Sequence, residues 1–373
     1  MYKSFHLSLI IIIGFLIVQC GKDEVVSEIP TDNPSMDKDT TREENTEKDR
    51  FYNSDLYIVD GIFVEVYTPS DYDSTRKYPI IFLNDGDLFA DIYAKLLVLP
   101  ADPFIMVGLS DDRKRAERFL PYFDSELRDN IGEYTPQAEA YSRSLVEEVI
   151  PFVEERYSVN SGKRAIFGIS FGGLHATWIA IRYPQVFSFI GALSPSYWVR
   201  GYALWTEPLY NLNQGGLGIS TTFYIDRGTQ EWRNYLPFIQ LLKDEGFRYG
   251  QTIFYNEVPG GDHTVNDWYF RIDIPFRLFM EGTARATDVQ WDISDYCVEL
   301  WDQPGVKYGR INPTLTFNNG IKYSVTSEAT YTILEGTGLV LSDGNYFINR
   351  GSSLTVLVSY QDFSTTITID KCN

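Results

Sequence analysis

The stretch Ala165-Ile166-Phe167-Gly168-Ile169-Ser170-Phe171-Gly172-Gly173 constrains this chain more than any other. Lys163 to Phe167 carries the apolar positions of a short strand, Leu174 to Tyr183 has helical composition, and Gly168 to Gly172 between them fits G-x-S-x-G. A serine hydroxyl is a poor nucleophile until a base takes its proton, so it must stand exposed on a tight turn. Glycines two residues to either side let the strand and helix backbones pass closely with no Cβ between them. The first helical amide, on Phe171, then points at a developing oxyanion, which a helix N-terminus also favours. An ordinary turn can carry the same five residues, so the rest of the chain must decide.

At 373 residues the length suggests about two domains, and 44% hydrophobic residues can bury a substantial core. A net charge of −19 argues against nucleic acid or an anionic membrane as a surface-wide partner. Leu56 to Thr68 reads as a hairpin around Asp60-Gly61, and Tyr78 to Asn84 as a strand buried inside a parallel sheet. The loop Asn84-Asp85-Gly86-Asp87 follows that strand, where a hydrolase with a nucleophile elbow places its second oxyanion amide. Gly86 and Asp87 are therefore candidate donors, beside the plainer reading of a strand-to-helix turn. Phe104 to Leu109 is a further strand. Tyr141 to Tyr157 is an amphipathic helix that Pro151 is expected to break or kink.

Several separated motifs then occur in order. Glu148-Val149-Ile150-Pro151-Phe152-Val153-Glu154-Glu155-Arg156-Tyr157, Gly168 to Gly173, Tyr183-Pro184-Gln185-Val186-Phe187 and Leu193-Ser194-Pro195-Ser196-Tyr197-Trp198 resemble the "Putative esterase" family of α/β-hydrolases. Feruloyl and acetyl xylan esterases, enterochelin-type siderophore esterases, S-formylglutathione hydrolases and mycolyltransferases belong to that family. The resemblance covers roughly residues 51–285 and implies a doubly wound, mostly parallel α/β sheet with Ser170 as nucleophile.

In such hydrolases the order along the chain is serine, acid, histidine. The histidines are His6, His175 and His263. His6 lies in the N-terminal apolar segment and His175 five residues into the elbow helix, where a packed or solvated role is the ordinary one. That leaves His263 as the base, and the family's Gly-Gly-x-His with a following tryptophan matches at Gly260, Gly261, His263 and Trp268. For the acid, Thr221 to Asp226 is a strand whose following loop offers Asp226 and Glu231. The family pattern of an acid after Gly-Thr-x selects Glu231, with Asp226 the alternative. Tyr197, Trp198, Trp232 and Trp268 are candidates to line a substrate pocket, Trp198 first among them, although most aromatics in a chain this rich in them are core. No C-x-x-C or metal-ligand cluster occurs, and the expected chemistry needs no metal or organic cofactor.

The two ends of the chain have different characters. Lys3 followed by the apolar run Leu7 to Val18 reads as a secretory signal, and Val18-Gln19-Cys20-Gly21 resembles a lipobox apart from Gln19. Residues 1–20 are thus expected to be a lipoprotein signal peptide. Lys22-Asp23-Glu24 resembles the export signal of some Gram-negative surface lipoproteins, which places the protein outside the cell, held to the outer membrane through lipidated Cys20. Residues 21–50 hold ten acidic and five basic residues and no aromatic, the composition of a disordered tether. An α/β-hydrolase domain is expected over 51–286. From about Asp288 the helical period gives way to short alternating strands with turns such as Asn319-Gly320 and Asp343-Gly344. An all-β, immunoglobulin-like sandwich is expected over 287–373, closed by a Cys297–Cys372 disulfide and serving as a glycan- or protein-binding module or a spacer.

The expectation is a serine esterase that removes acetyl or feruloyl groups from polysaccharide. A siderophore esterase, an acyltransferase and a glycan-binding protein on a hydrolase scaffold are the alternatives.

Overall fold

Residues 52–206, 221–231, 233–283, 286–299 and 305–370 are described, from a computed structural model. The segments 1–20 and 21–50, Cys20, Trp232 and Cys372, and with Cys372 the pairing to Cys297, lie outside them.

Alternation along the strands separates the two faces of the central sheet. In β3 (Tyr78–Asn84), Ile80 and Phe82 join one buried cluster while Ile81 and Leu83 join the other. The same division recurs in β5 (Val159–Ile169), with Ile166 against Ala165 and Phe167, and in β7 (Thr222–Gly228), with Phe223 and Ile225 against Tyr224. A strand buried on both faces needs cover on both, and helices supply it. Leu174 and Ile179 of the elbow helix (Phe171–Arg182) cover the first face, and Phe276 and Phe279 of the helix Asp273–Glu281 the second.

The remaining strands of the sheet are β1 (Tyr52–Val59), β2 (Ile62–Pro69), β4 (Ile105–Ser110), β6 (Phe189–Leu193) and β8 (Ile253–Val258). Their spatial order is β1-β2-β4-β3-β5-β6-β7-β8. The β1–β2 and β2–β4 pairs are antiparallel, and every pair from β4–β3 to β7–β8 is parallel. This is an α/β-hydrolase-like sheet. Parallel strands bring their C-terminal ends to one edge, where open α/β sheets bind ligands.

Pro151 does not break its helix. Ala138–Ser144 and Ile150–Arg156 run continuously through a π-helical turn at Leu145–Val149. Proline lacks an N–H and crowds the carbonyl four residues back, and the wider π register accommodates both.

After the sheet, the chain is all-β: β9 (Ala286–Glu299), β10 (Val306–Phe317), β11 (Lys322–Ser324), β12 (Thr330–Gly336), β13 (Gly338–Val340), β14 (Asn345–Asn349), β15 (Leu354–Tyr360) and β16 (Phe363–Ile369). One sheet has the order β11-β10-β14-β13 with β9 also on β10, and the other β12-β15-β16. Ile311, Tyr346 and Ile348 of the first share a buried cluster with Leu354, Val356, Val358 and Ile367 of the second, so the sheets pack face to face. This region is not closed off from the α/β region. Leu315, Phe317, Ile321, Tyr323 and Val325 lie in the same buried cluster as Phe254 and Phe279, and the described residues all fall within one compact unit.

Candidate active site

Ser170, Glu231 and His263 all lie just beyond the C-terminal ends of parallel strands, those of β5, β7 and β8. Ser170 follows β5 directly and caps the elbow helix with φ 58° and ψ −116°, a conformation that L-residues rarely adopt. The turn closes only because Gly168 lacks a side chain, since a Cβ there would fall 2.1 Å from the Gly172 carbonyl oxygen. Asn84, at the end of β3, donates from Nδ2 to the same carbonyl at 2.9 Å and pins the helix to the sheet.

Ser170 Oγ lies 3.1 Å from His263 Nε2, and His263 Nδ1 lies 3.0 Å from Glu231 Oε2. The His263 side chain is 39% exposed and that of Glu231 only 3%, so the imidazole faces the opening with the carboxylate behind it. Glu231 sits in the loop after β7 and His263 in the loop after β8. These loops touch: Gln230 N donates to the Gly261 carbonyl at 2.9 Å, and a Cβ on Gly228 would fall 2.0 Å from that same oxygen. The indole of Trp268 packs edge-on against His263 with ring centroids 4.9 Å apart, and its Nε1 donates to Ser194 Oγ at 3.0 Å.

Burial works against an ionised Glu231, but hydrogen bonds from His263, Ser194 and the Gly228 amide outweigh it and hold the carboxyl down at about 2. Its Oε1 accepts from Ser194 Oγ at 2.6 Å and Gly228 N at 2.7 Å, and Arg271 Nη2 stands at 3.4 Å. An ionised carboxylate only accepts, so His263 Nδ1 carries the proton and Nε2 is free to take one from Ser170. Ser196 Oγ lies 3.1 Å from Ser170 Oγ on the other side. With the Ser170 proton directed at His263, Ser196 donates to the Ser170 oxygen. Sequence reasoning assigned no role to Ser194, Ser196 or Arg271, because tertiary packing brings each of them here.

The alternative acid is engaged elsewhere. Asp226 is fully buried and accepts from Ser194 N at 3.0 Å and the Tyr224 hydroxyl at 3.1 Å, with Arg271 Nε at 3.4 Å. Burial raises its carboxyl to about 6 despite that arginine.

Phe171 opens the elbow helix, as an oxyanion donor must. Gly86 is corrected: its amide donates to the Leu109 carbonyl at 2.9 Å, because β4 runs alongside, which leaves Asp87 as the candidate in that loop. The loop is braced by Asp85, buried between Arg115 Nη2 at 2.9 Å and Arg118 Nη2 at 3.1 Å. Arg115 Nη2 also donates to the Ile169 carbonyl at 2.8 Å, which ties this loop to the residue before Ser170.

Tyr197 is also corrected. It is fully buried with its hydroxyl 2.6 Å from Thr177 Oγ1, and it packs the core rather than a substrate. Trp198 is half-buried beside Phe171, their ring centroids 6.4 Å apart, with the Arg233 guanidinium 4.8 Å over its ring. His175 is sealed in the core, with Nδ1 3.1 Å from Asn84 Nδ2 and Nε2 3.0 Å from Ser142 Oγ. Burial and the nearby Arg118 and Arg113 push it down to about 3, so it stays neutral and structural. Among the described residues, no group of three His, Cys, Asp or Glu side chains is arranged to hold a metal ion.

Comparison with known proteins places this geometry in a family. The chain is 25% identical over 148 residues to the uncharacterized protein YbbA of Bacillus subtilis, covering 37% of this chain and 58% of that protein. It is 29% identical over 158 residues to an endo-1,4-beta-xylanase/feruloyl esterase of Xylanibacter ruminicola, covering 35% of this chain and 19% of that protein. The chain therefore spans less than two thirds of the length of either curated relative. The solved siderophore hydrolase EstA of Aspergillus nidulans is similar over 63% of this chain and 97% of its own, at 17% identity and a TM-score of 0.49. The family model described as "Putative esterase" matches residues 60–273, more than half of the sequence, and the chain belongs to that family.

Proposed function

We propose that this protein is a serine carboxylic-ester hydrolase working through an acyl-enzyme. The observation that carries the reading is the unbroken line from Ser170 Oγ to His263 and on to Glu231, at 3.1 and 3.0 Å. Ser170 Oγ attacks the ester carbonyl carbon and its proton passes to His263 Nε2. The carbonyl oxygen takes up the negative charge and accepts from the amides of Phe171 and Asp87. The intermediate collapses, the C–O bond to the alcohol breaks, and the departing oxygen takes the proton from His263. Water then repeats the sequence on the Ser170 ester and releases the acid. Glu231 holds the imidazole tautomer and stabilises the imidazolium in both halves.

For the substrate, we favour acetyl or feruloyl esters of polysaccharide. The match to a xylanase/feruloyl esterase supports this, and the Phe171, Trp198 and Arg233 wall is suited to stacking on a planar acyl group. Export with a lipid anchor at Cys20 in the outer membrane fits a polymeric substrate, and release of a Cys20→Ala chain from the membrane fraction tests it. The C-terminal sheets are read as immunoglobulin-like, since β9-β10-β14-β13 and β12-β15-β16 repeat the A-B-E-D and C-F-G orders of that sandwich.

The test is turnover of p-nitrophenyl acetate, methyl ferulate, acetylated xylan and a catechol-siderophore ester by wild type and Ser170→Ala. Serine-dependent release of ferulate or acetate is expected. Preference for the siderophore ester would replace the substrate class, and turnover undiminished in Ser170→Ala would refute the mechanism.

A further inference from the structure

The C-terminal β-region reaches the catalytic loops through one buried charge cluster. Glu257, near the end of β8, is fully buried, and its Oε1 meets Arg227 Nη2 at 3.0 Å, the Tyr255 hydroxyl at 2.8 Å and Arg310 Nη2 at 2.9 Å. Arg227 is at the end of β7, whereas Arg310 comes from β10 of the C-terminal region. Arg227 Nη1 continues the line to the main-chain carbonyl of Glu231 at 2.8 Å. From the same side, Asn312 Nδ2 donates to the Glu257 carbonyl at 2.9 Å, and the Glu257 amide donates to Ser324 Oγ at 2.8 Å. The strand held in this way runs directly into the loop that carries His263, and Thr229 N, in the acid loop, donates to the Val258 carbonyl at 2.9 Å.

From this we infer that Arg310, Asn312 and Ser324 of the C-terminal region are positioning residues of the active site, fixing the acid and base loops through Glu257 and Arg227. The inference rests on the serine-esterase reading. Its physical basis is the coupling of a buried charge to its neighbours. A carboxylate whose one oxygen accepts two hydrogen bonds and is ion-paired to Arg310 is restricted in rotamer, and Arg227 is then held against the Glu231 carbonyl. Without Arg310, Glu257 is free to turn toward Arg227 and draw it from that carbonyl. The acid loop then loses its brace. A shift of the triad on the order of 1 Å costs roughly a hundred-fold in rate even when its cause is remote. A detached spacer or binding module would leave the chemistry untouched.

The experiment compares full-length wild type with Arg310→Met, Arg310→Lys and Glu257→Gln on p-nitrophenyl acetate, with the melting of each followed by circular dichroism. Removing one member of a buried ion cluster destabilises the fold whatever its role in the site, so the rate of the folded variant, not its melting temperature, is the deciding quantity. In Arg310→Met, kcat is expected to fall by about ten-fold or more with KM unchanged. Arg310→Lys should recover most of it. Glu257→Gln should reproduce the loss, and should still report on the link if Arg310→Met fails to fold. A double variant should fall no further than either single one, because both act through one chain of contacts. The downfield proton resonance of His263 Nδ1–H, bonded to Glu231, reads the same link without turnover, and should move in Arg310→Met and return in Arg310→Lys. Unchanged kcat and resonance in folded variants, or a rise in KM alone, would overturn the inference and leave the esterase reading standing. Absence of Ser170-dependent turnover in wild type would remove that reading, with the resonance still deciding whether the loops are braced.

Discussion

Replacing Glu231 by glutamine should cost the proposed esterase activity as much as replacing it by alanine. Three donors converge on Glu231 Oε1: Ser194 Oγ at 2.6 Å, Gly228 N at 2.7 Å and Arg271 Nη2 at 3.4 Å. A glutamine at this position can place only its carbonyl oxygen among them. Its NH2 must then occupy the place of Oε2, 3.0 Å from His263 Nδ1 in the native site. Facing a donor, Nδ1 becomes the acceptor and the proton moves to Nε2, where it blocks transfer from Ser170. Enforcing the wrong tautomer in a triad costs about 10⁴-fold in kcat, or about 5.5 kcal/mol. Alanine imposes no tautomer but removes the charge that orients His263 and stabilises its imidazolium, and loss of a triad acid also costs about 10⁴-fold, so the isosteric glutamine should rescue nothing. The assay is kcat on p-nitrophenyl acetate for both variants, with Asp226→Asn as the control because Asp226 points at Ser194, Tyr224 and Arg271. Glutamine within about ten-fold of wild type, or far better than alanine, would refute the assignment of the Oε1 donors and of Glu231 as the tautomer-setting acid.

Two further predictions follow from the same contacts. Ser196→Ala removes the donor to Ser170 Oγ, a bond that strengthens as charge builds on that oxygen; the gain from neutral to charged acceptor is about 1 kcal/mol, so kcat should fall about five-fold with KM unchanged, as read by initial rates. His175 is pushed down to about 3 by burial, so the unfolded chain protonates first, and its contribution to stability is complete above pH 6.5 and is lost as pH falls toward 3. Relative to pH 7, that loss is about 2 kcal/mol at pH 5. Asp226, raised to about 6, works in the opposite sense between pH 6 and 3.8, so the His175 share is the difference between wild type and His175→Gln in urea unfolding at pH 7 and pH 5. A parallel pH dependence in the two proteins would contradict it.

The parts of the site legible in the sequence are those whose chemistry is local. Gly168 to Gly173 announces a strand, turn and helix because close backbone approach demands glycine at fixed offsets, and His263 stands out because so few histidines compete with it. Glu231 needed more than local reading, since Asp226 shares its loop. Only the packed structure shows that the strand end turns Asp226 toward Arg271. The amide of Gly86 was invisible for a related reason: whether it is engaged depends on β4 lying alongside. Pro151 misled because local rules foresee a kink where a π turn absorbs the ring. In the tail, the shorter strands were legible by their alternation, whereas β10 carries Pro313 in its interior, where sequence rules argue against a strand. Pro313 falls between the stretch that pairs with β14 and the stretch that pairs with β11, where a missing N–H is tolerated. Least legible was the seam between the two regions. Arg310 and Glu257 are far apart in sequence, and each reads as an ordinary surface charge until the fold buries them together.

The measurement that bears most directly on the serine-esterase account is the mass of the covalent intermediate. The protein is mixed with methyl ferulate or p-nitrophenyl acetate, quenched in acid within the first turnover and digested. The account predicts one acyl group on the peptide that contains Ser170, absent in Ser170→Ala and formed far more slowly in His263→Ala. Full turnover with no acyl group on Ser170, or with the acyl group on another residue, would contradict it.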